Sequence, residues 1–173
     1  MPIIAGWLEI LDDPIYDTAE LGPENPWAYL FQAPVGTQHK TYADTNQYQS
    51  GVLPAPQKHR IERISAALIR GNRLIPLSDP AWTSIVITLS INCKVYWMGP
   101  LWMVAHPHVA MLGGRVSRRL AKWLLRLSSG KLREPIPIEQ QQPFMVRAEA
   151  YRQLRQLVSV FVALEGLRSR AVM

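Results

Sequence analysis

Cysteine is nearly absent from this chain: Cys93 is the one instance in 173 residues. That excludes an internal disulfide framework and a zinc site built from cysteines. The short signatures of common catalysts are missing as well, with no G-x-S-x-G elbow, H-E-x-x-H pair, Walker loop or G-x-G-x-x-G turn. Thirteen acids always offer pairs on paper, here Glu139 with Glu149 or Asp12 with Asp13. Such a pair becomes an acid–base site only inside a pocket. His106 and His108 flank Pro107 with no carboxylate or cysteine nearby, which suits a loop better than a metal site. Gly113-Gly114 is not followed by Lys-Ser/Thr and reads as a turn, not a phosphate cradle. The expectation is a protein that is not an enzyme, with no catalytic residue, no metal and no cofactor.

Long hydrophobic runs are lacking too. The longest, Val95 to Ala105, is broken by Gly99-Pro100 and is too short to cross a bilayer. Met1 to Leu11 is apolar but has no basic flank and meets Glu9, Asp12 and Asp13 at once, unlike a secretory signal. A soluble protein made in a cytoplasm is expected.

What is present suits one globular domain: 48% hydrophobic and 18% charged residues, in a chain long enough to bury a real core. Fourteen prolines spread along it favour many short elements over a helical bundle. The most informative stretch is Ile85 to Trp97. Ile85, Ile87, Leu89, Ile91, Cys93, Val95 and Trp97 alternate with Val86, Thr88, Ser90, Asn92, Lys94 and Tyr96. Side chains alternate across a strand with period two, so one face is apolar and the other mostly polar. At about 3.3 Å per residue a single strand here would run roughly 40 Å. Clean one-sided alternation points to an antiparallel sandwich or barrel, with Cys93 as a small core residue.

Elsewhere the pattern is less decided. Met1 to Gln49 holds Pro14, Pro23, Pro26 and Pro34 with scattered aromatics, and reads as an extended arm docked on the barrel or on a neighbouring subunit. Within it Trp27 to Phe31 suits a short strand. In Ser50 to Gly71, Ile61, Ile64 and Leu68 lie at helical spacing, while Ile64, Ala66 and Leu68 also fit a strand. Leu101 to Ala105 reads as a strand closing a hairpin over the long one. Ser117 to Leu127 is the best helix, with Leu120, Leu124 and Leu127 on one stripe. Pro135 to Ala150 reads as strand, turn or bulge, strand. Gln153 to Leu164 supports both periods, with Val158, Val160 and Val162 favouring a strand.

Net charge is +6. Acids crowd the first part of the chain, and Arg115, Arg118, Arg119, Lys122 and Arg126 crowd one later segment. A basic face of this kind suits anionic lipid, nucleic acid or an acidic partner, and also an ordinary solvated surface.

The order of motifs resembles the jelly-roll major capsid proteins of icosahedral viruses with an internal membrane. Val52-Leu53-Pro54-Ala55-Pro56-Gln57, leading into an Ile-rich segment, looks like the lead-in to the first barrel strand. Pro135-Ile136-Pro137-Ile138-Glu139 with Phe144-Met145-Val146 looks like the late strand pair. Val160-Phe161-Val162-Ala163-Leu164-Glu165-Gly166, with Arg170 soon after, looks like the closing strand and its exit. Chain length is also similar to that of the smaller of the two single-barrel capsid proteins of Thermus phages. The sequence departs from the family pattern at His59-Arg60, where a large apolar residue is usual.

The resemblance implies an all-β chain: a single eight-stranded jelly-roll sandwich over residues 50–173, with an extended N-terminal arm over residues 1–49 and one short helix. It implies a virion subunit that self-assembles, with a dimer as building block and a second, larger capsid protein as companion. The shell would stand over an anionic internal membrane. Trp7, Trp27, Tyr29 and Phe31 would then anchor the arm on a neighbour. The basic residues would face lipid or the companion, and no specific nucleic acid is implied. Deleting the residues before Tyr42 is expected to change the oligomer. A competing reading is a non-catalytic β-sandwich module that binds carbohydrate or protein, with Tyr96, Trp97 and Trp102 as a stacking platform. A third is a nucleic-acid binder using the basic residues, which calls for steep salt dependence.

Overall fold

Alternating burial, one residue in and one residue out, builds two antiparallel layers. The computed structural model describes residues 3–5, 8–71, 73–105 and 130–171. The larger layer contains β1 (Ile3–Ala5), β2 (Leu8–Asp12), β3 (Ile15–Leu21), β5 (Lys58–Arg70), β6 (Arg73–Leu74), β9 (Lys131–Ile138) and β11 (Val158–Ala171). The smaller contains β4 (Trp27–Leu30), β7 (Ile85–Ile91), β8 (Lys94–Pro100) and β10 (Phe144–Ala150).

In the larger layer β11 lies between β5 and β3, and β5 lies between β11 and β9. In the smaller layer the order is β4-β10-β7-β8. The chain thus passes from β3 in one layer to β4 in the other and back to β5. It makes the β7–β8 hairpin, and then alternates layers through β9, β10 and β11. That is the winding of a single jelly roll. Eight strands form its two four-stranded layers. β2 prolongs the β3 edge along β11, β1 folds onto β2, and β6 turns back on the end of β5.

The core lies between the layers. Ile85, Ile87, Leu89 and Ile91 of β7 and Val146 and Ala148 of β10 face Ile61, Ile64, Ala66 and Leu68 of β5 and Val158, Val160, Val162 and Leu164 of β11. Each such aliphatic side chain taken from water contributes about 1.5–3 kcal/mol. Trp82, on the helical turn α1 (Ala81–Ser84), closes one end and donates its indole N–H to the Ile75 carbonyl at 3.1 Å. The indole is fully buried with its polar atom satisfied, which is what makes its burial net favourable.

Several expectations are corrected. Residues 1–49 are not an arm beside a barrel that begins at residue 50, because β3 and β4 are the first two strands of the jelly roll itself. The Val52 to Gln57 lead-in therefore enters the third strand, β5. The late strands β9 and β10 lie in different layers and do not pair with each other. Ile85 to Trp97 is not one long strand but a hairpin. Asn92 and Cys93 both take positive φ (49° and 63°), the geometry of the two-residue turn whose twist matches paired strands. Cys93 is consequently exposed at the turn instead of buried. Leu101 to Val104 is a 3₁₀ turn, since β8 already occupies the hairpin position beside β7. The expected helix Ser117 to Leu127 lies outside the described residues; among those described the α-helical element is α1.

The competing periods of Ile61 to Leu68 have a structural cause. Across from β5, Glu165 pairs with Arg63 but Gly166 pairs with Ile61, so Glu62 is one extra residue. That bulge puts Ile61 and Ile64, three apart, on the same face and so imitates a helix. Gly166 is required opposite it, because a Cβ there would stand 2.0 Å from the Arg60 carbonyl oxygen.

Candidate functional site: the outer face of the smaller sheet

Residues of β4, β10, β7 and β8 that do not point into the core form rows across the outside of the smaller sheet. One row runs Trp27, Glu149, Val86, Pro100; the next runs Tyr29, Arg147, Thr88, Met98; a third contains Met145, Ser90 and Val95. Met98 is 66% exposed, Val95 53%, Trp27 50% and Tyr29 46%. They stand in two groups, Trp27 and Tyr29 on the β4 edge and Val95 and Met98 on the β8 edge, with Glu149, Arg147, Val86 and Thr88 between, and large apolar side chains this open mark contact surfaces.

The charged members at the middle of the face pair with one another, although the Arg147 Nε is buried without a hydrogen-bond partner. Arg147 pairs with Glu149 at 3.1 Å, and its guanidinium lies 5.8 Å from the Trp27 ring centre. Trp27 and Tyr29 meet edge to face with ring centres 5.5 Å apart. Lys94, at the hairpin end, lies 5.4 Å from the Tyr96 ring centre. The result is a surface with one cation and one anion near the middle of β10, aromatics on the β4 side and aliphatic side chains on the β8 side.

One edge of the sandwich is closed. The outer edge of β3 is covered by the chain that follows β4. Tyr16 donates its N–H to the Asn46 side chain at 2.9 Å, the Tyr16 carbonyl accepts from Asn46 N–H and the Thr45 hydroxyl, and the Thr18 hydroxyl donates to the Asp44 carbonyl. Asp44 holds the loop in turn by accepting from the Thr41 N–H and hydroxyl, which keeps its carboxyl below the ordinary range. Asp17, wholly buried, accepts from the Phe31 N–H and pairs with Lys40, whose ammonium also donates to the Thr18 carbonyl. An unpaired strand edge is a natural docking template, and here that template is occupied from within the chain.

Of the residues expected to anchor an arm on a neighbour, Trp27 and Tyr29 do stand exposed together. Phe31 does not: it is fully buried, its ring 5.5 Å from that of Phe144, and held at φ 67° beside Asp17. It belongs to the core of its own chain. Trp7 lies outside the described residues, as do Arg115, Arg118, Arg119, Lys122 and Arg126 and the His106–His108 pair. Trp97 and Trp102 are partly buried against the core, so they do not join Tyr96 in an open stacking platform. Arg147, Glu149, Val86 and Met98 escaped sequence reasoning, because nothing in an isolated strand says which strand will lie beside it.

Among the described residues no group of three metal-binding side chains is found, and no helix is long and apolar enough to cross a membrane. The surface depressions include one of about 420 Å³ lined by Arg70, Asp79, Ser84, Gln153 and Arg155, where Arg70 and Asp79 pair at 3.3 Å. Another of about 430 Å³ lies between Tyr96–Trp97 and the stretch Leu132 to Pro137. No family model matches the chain, and comparisons with curated proteins and with solved structures give no match.

Proposed function

We propose that this protein is a structural subunit of a virus shell: a jelly-roll capsid protein that works by joining copies of itself and a companion, not by catalysis. The observation that carries the reading is the outer face of the smaller sheet, where Trp27, Tyr29, Val95 and Met98 stand open on a sandwich with a continuous buried core. Jelly rolls serve shells, lectins and cupins alike, so the fold alone does not choose among them. Exposed apolar groups at both edges of the face, with an ion pair between them, favour protein–protein contact.

In this reading the subunit is made in the host cytoplasm and resides in the virion, beside a second, larger capsid protein. Five of the nineteen basic residues and none of the thirteen acids fall within residues 106–129, so the remainder of the chain is nearly neutral. Arg115, Arg118, Arg119, Lys122 and Arg126 would meet an anionic internal membrane or an acidic companion. Light scattering and negative-stain microscopy of the purified protein, alone and mixed with the proteins encoded beside it, test the reading. Regular particles are expected, and a monomer in every mixture refutes it. Flotation with anionic vesicles at rising salt tests the lipid contact separately.

A second reading, a non-catalytic β-sandwich module that binds carbohydrate or protein, would use the groove between Tyr96–Trp97 and Leu132 to Pro137, without an open aromatic platform. Saturable binding in a glycan titration, with no assembly, would favour it.

A further inference from the structure

Resting on the assembly reading, we infer that the outer face of the smaller sheet is the contact between two copies of this chain. The two copies would be related by a two-fold axis that lies in the plane of contact and crosses the strands between the Arg147 row and the Glu149 row.

The argument is one of self-complementarity. A face-to-face pair of identical sheets needs its two-fold axis in the contact plane, since only such a rotation turns one face onto the other. An axis running across the strands exchanges neighbouring rows. Row by row, Tyr29 then meets Trp27 of the second copy, Arg147 meets Glu149, Thr88 meets Val86, and Met98 meets Pro100. Aromatic falls on aromatic, cation on anion and apolar on apolar, twice over by symmetry. The intramolecular Arg147–Glu149 pair becomes half of a four-charge ring, in which each ion gains a second partner as water leaves. An axis along the strands offers no such match, because it would set Arg147 against Arg147 or move the ring off the central strand.

The contact is a modest one. Four strands about 4.8 Å apart and seven residues at about 3.3 Å give a footprint of at most roughly 19 by 23 Å, since β4 spans only Trp27–Leu30. Side-chain relief and the adjoining edge of β8 add to it, but the area stays below the roughly 800 Å² per partner of a standard interface, so a concentration-dependent dimer is expected. The larger sheet is a poorer candidate. Its outer side and rim carry the ion pairs Lys58–Glu139, Arg60–Glu62 and Arg63–Glu165.

A pair of charge reversals tests the geometry. In Arg147→Glu the face carries two acids, and in Glu149→Arg it carries two bases. Each variant alone is expected to dimerise at least tenfold more weakly than the native chain, because like charges meet across the axis. Mixed in equal amounts, the two variants are expected to recover a dimer, since every cross-axis pair is again opposite in sign. Met98→Arg, which alters no existing ion pair, is expected to weaken the dimer as well. Thermal melting by circular dichroism establishes that each variant is folded, and sedimentation equilibrium reads the mass.

A native chain that is monomeric at all concentrations overturns the inference. So does a dimer indifferent to all three variants, or a mixture that fails to recover. These failures are separable from that of the assembly reading. A monomer that still builds particles with its companion defeats the face-to-face dimer alone. A variant-sensitive dimer that never enters a particle defeats the shell alone.

Discussion

Acidification should weaken this fold through one side chain, His59. It occupies a core position on β5, where the Nε2 nitrogen lies 3.1 Å from the Leu164 carbonyl oxygen. A carbonyl only accepts, so Nε2 carries the proton, and the buried Nδ1 has no hydrogen-bond partner. Protonating Nδ1 would place a charge and an unmatched donor in the core. Burial accordingly pushes the pKa from about 6.5 down to about 4, and the Leu164 carbonyl offsets only part of that. The unfolded chain takes up a proton near pH 6.5 and the folded chain not until about pH 4. Stability therefore falls as pH drops through this window and levels off below it. At about 1.4 kcal/mol per unit, the full loss is about 3 kcal/mol, a large part of the 5–15 kcal/mol of an ordinary domain. Urea unfolding of the native chain and of His59→Leu at pH 7, 6, 5 and 4.5 isolates the effect, because the carboxylates contribute equally to both. The stability difference should shift by about 2 kcal/mol in favour of the variant between pH 7 and 4.5. Parallel curves, or an imidazole seen by NMR to titrate near pH 6.5 in the folded protein, would refute the reasoning.

Four further outcomes are expected. Asp17→Ala strands the Lys40 ammonium and the Phe31 N–H, and should cost about 3–5 kcal/mol in chemical denaturation; a loss under 1 kcal/mol means the pair is not buried as described. Gly166→Ala drives a methyl against the Arg60 carbonyl at the bulge and should cost about 1–3 kcal/mol, so an unchanged melting curve would deny the close approach. Cys93 should react fully with a thiol reagent in the folded protein, and Cys93→Gly should stabilise the turn by about 0.5–1 kcal/mol; slow labelling matched to unfolding would place the thiol inside. Leu89→Ala, in the middle of β7, should cost about 2–5 kcal/mol, and a smaller loss would mean the two layers are not packed there.

The legibility of this fold in its sequence depended on which interactions are local. Alternation in Ile85 to Ile91, Phe144 to Ala150 and Val158 to Val162 reports a strand with one wet face, and that is a property of the residues themselves. The hairpin in Ile85 to Pro100 was hidden because Asn92-Cys93 lacks the glycine that usually marks such a turn, while alternation runs on across it in unbroken phase. The bulge at Glu62 hid β5 in the same way, by giving a strand the spacing of a helix. Residues 15–30 read as an arm because prolines punctuate them, yet Pro14, Pro23 and Pro26 sit just outside β3 and β4 and bound the strands without interrupting them. Of the candidate face, Trp27 and Tyr29 were visible as aromatics in search of a partner. Its central charges were not, since Arg147 and Glu149 acquire meaning only once β10 is placed between β4 and β7.

Exchange of β3 or β4 with a neighbour is disfavoured by the same placement. β3 is hydrogen-bonded to β11 on one side and covered by residues 40–46 on the other, and β4 is paired to β10 through Trp27 to Leu30. To lend either strand to a neighbour, a subunit would have to open both layers and expose Ile15, Leu21 and Leu30, all fully buried. Deletion of the residues before Tyr42 thus removes two of the eight jelly-roll strands. Its expected result is an unfolded chain, whatever the oligomer, so it does not report on assembly. A face needs no such opening. Trp27, Tyr29 and Met98 would meet a second copy from strands that stay in place, so substitutions there can separate joining from folding where truncation cannot.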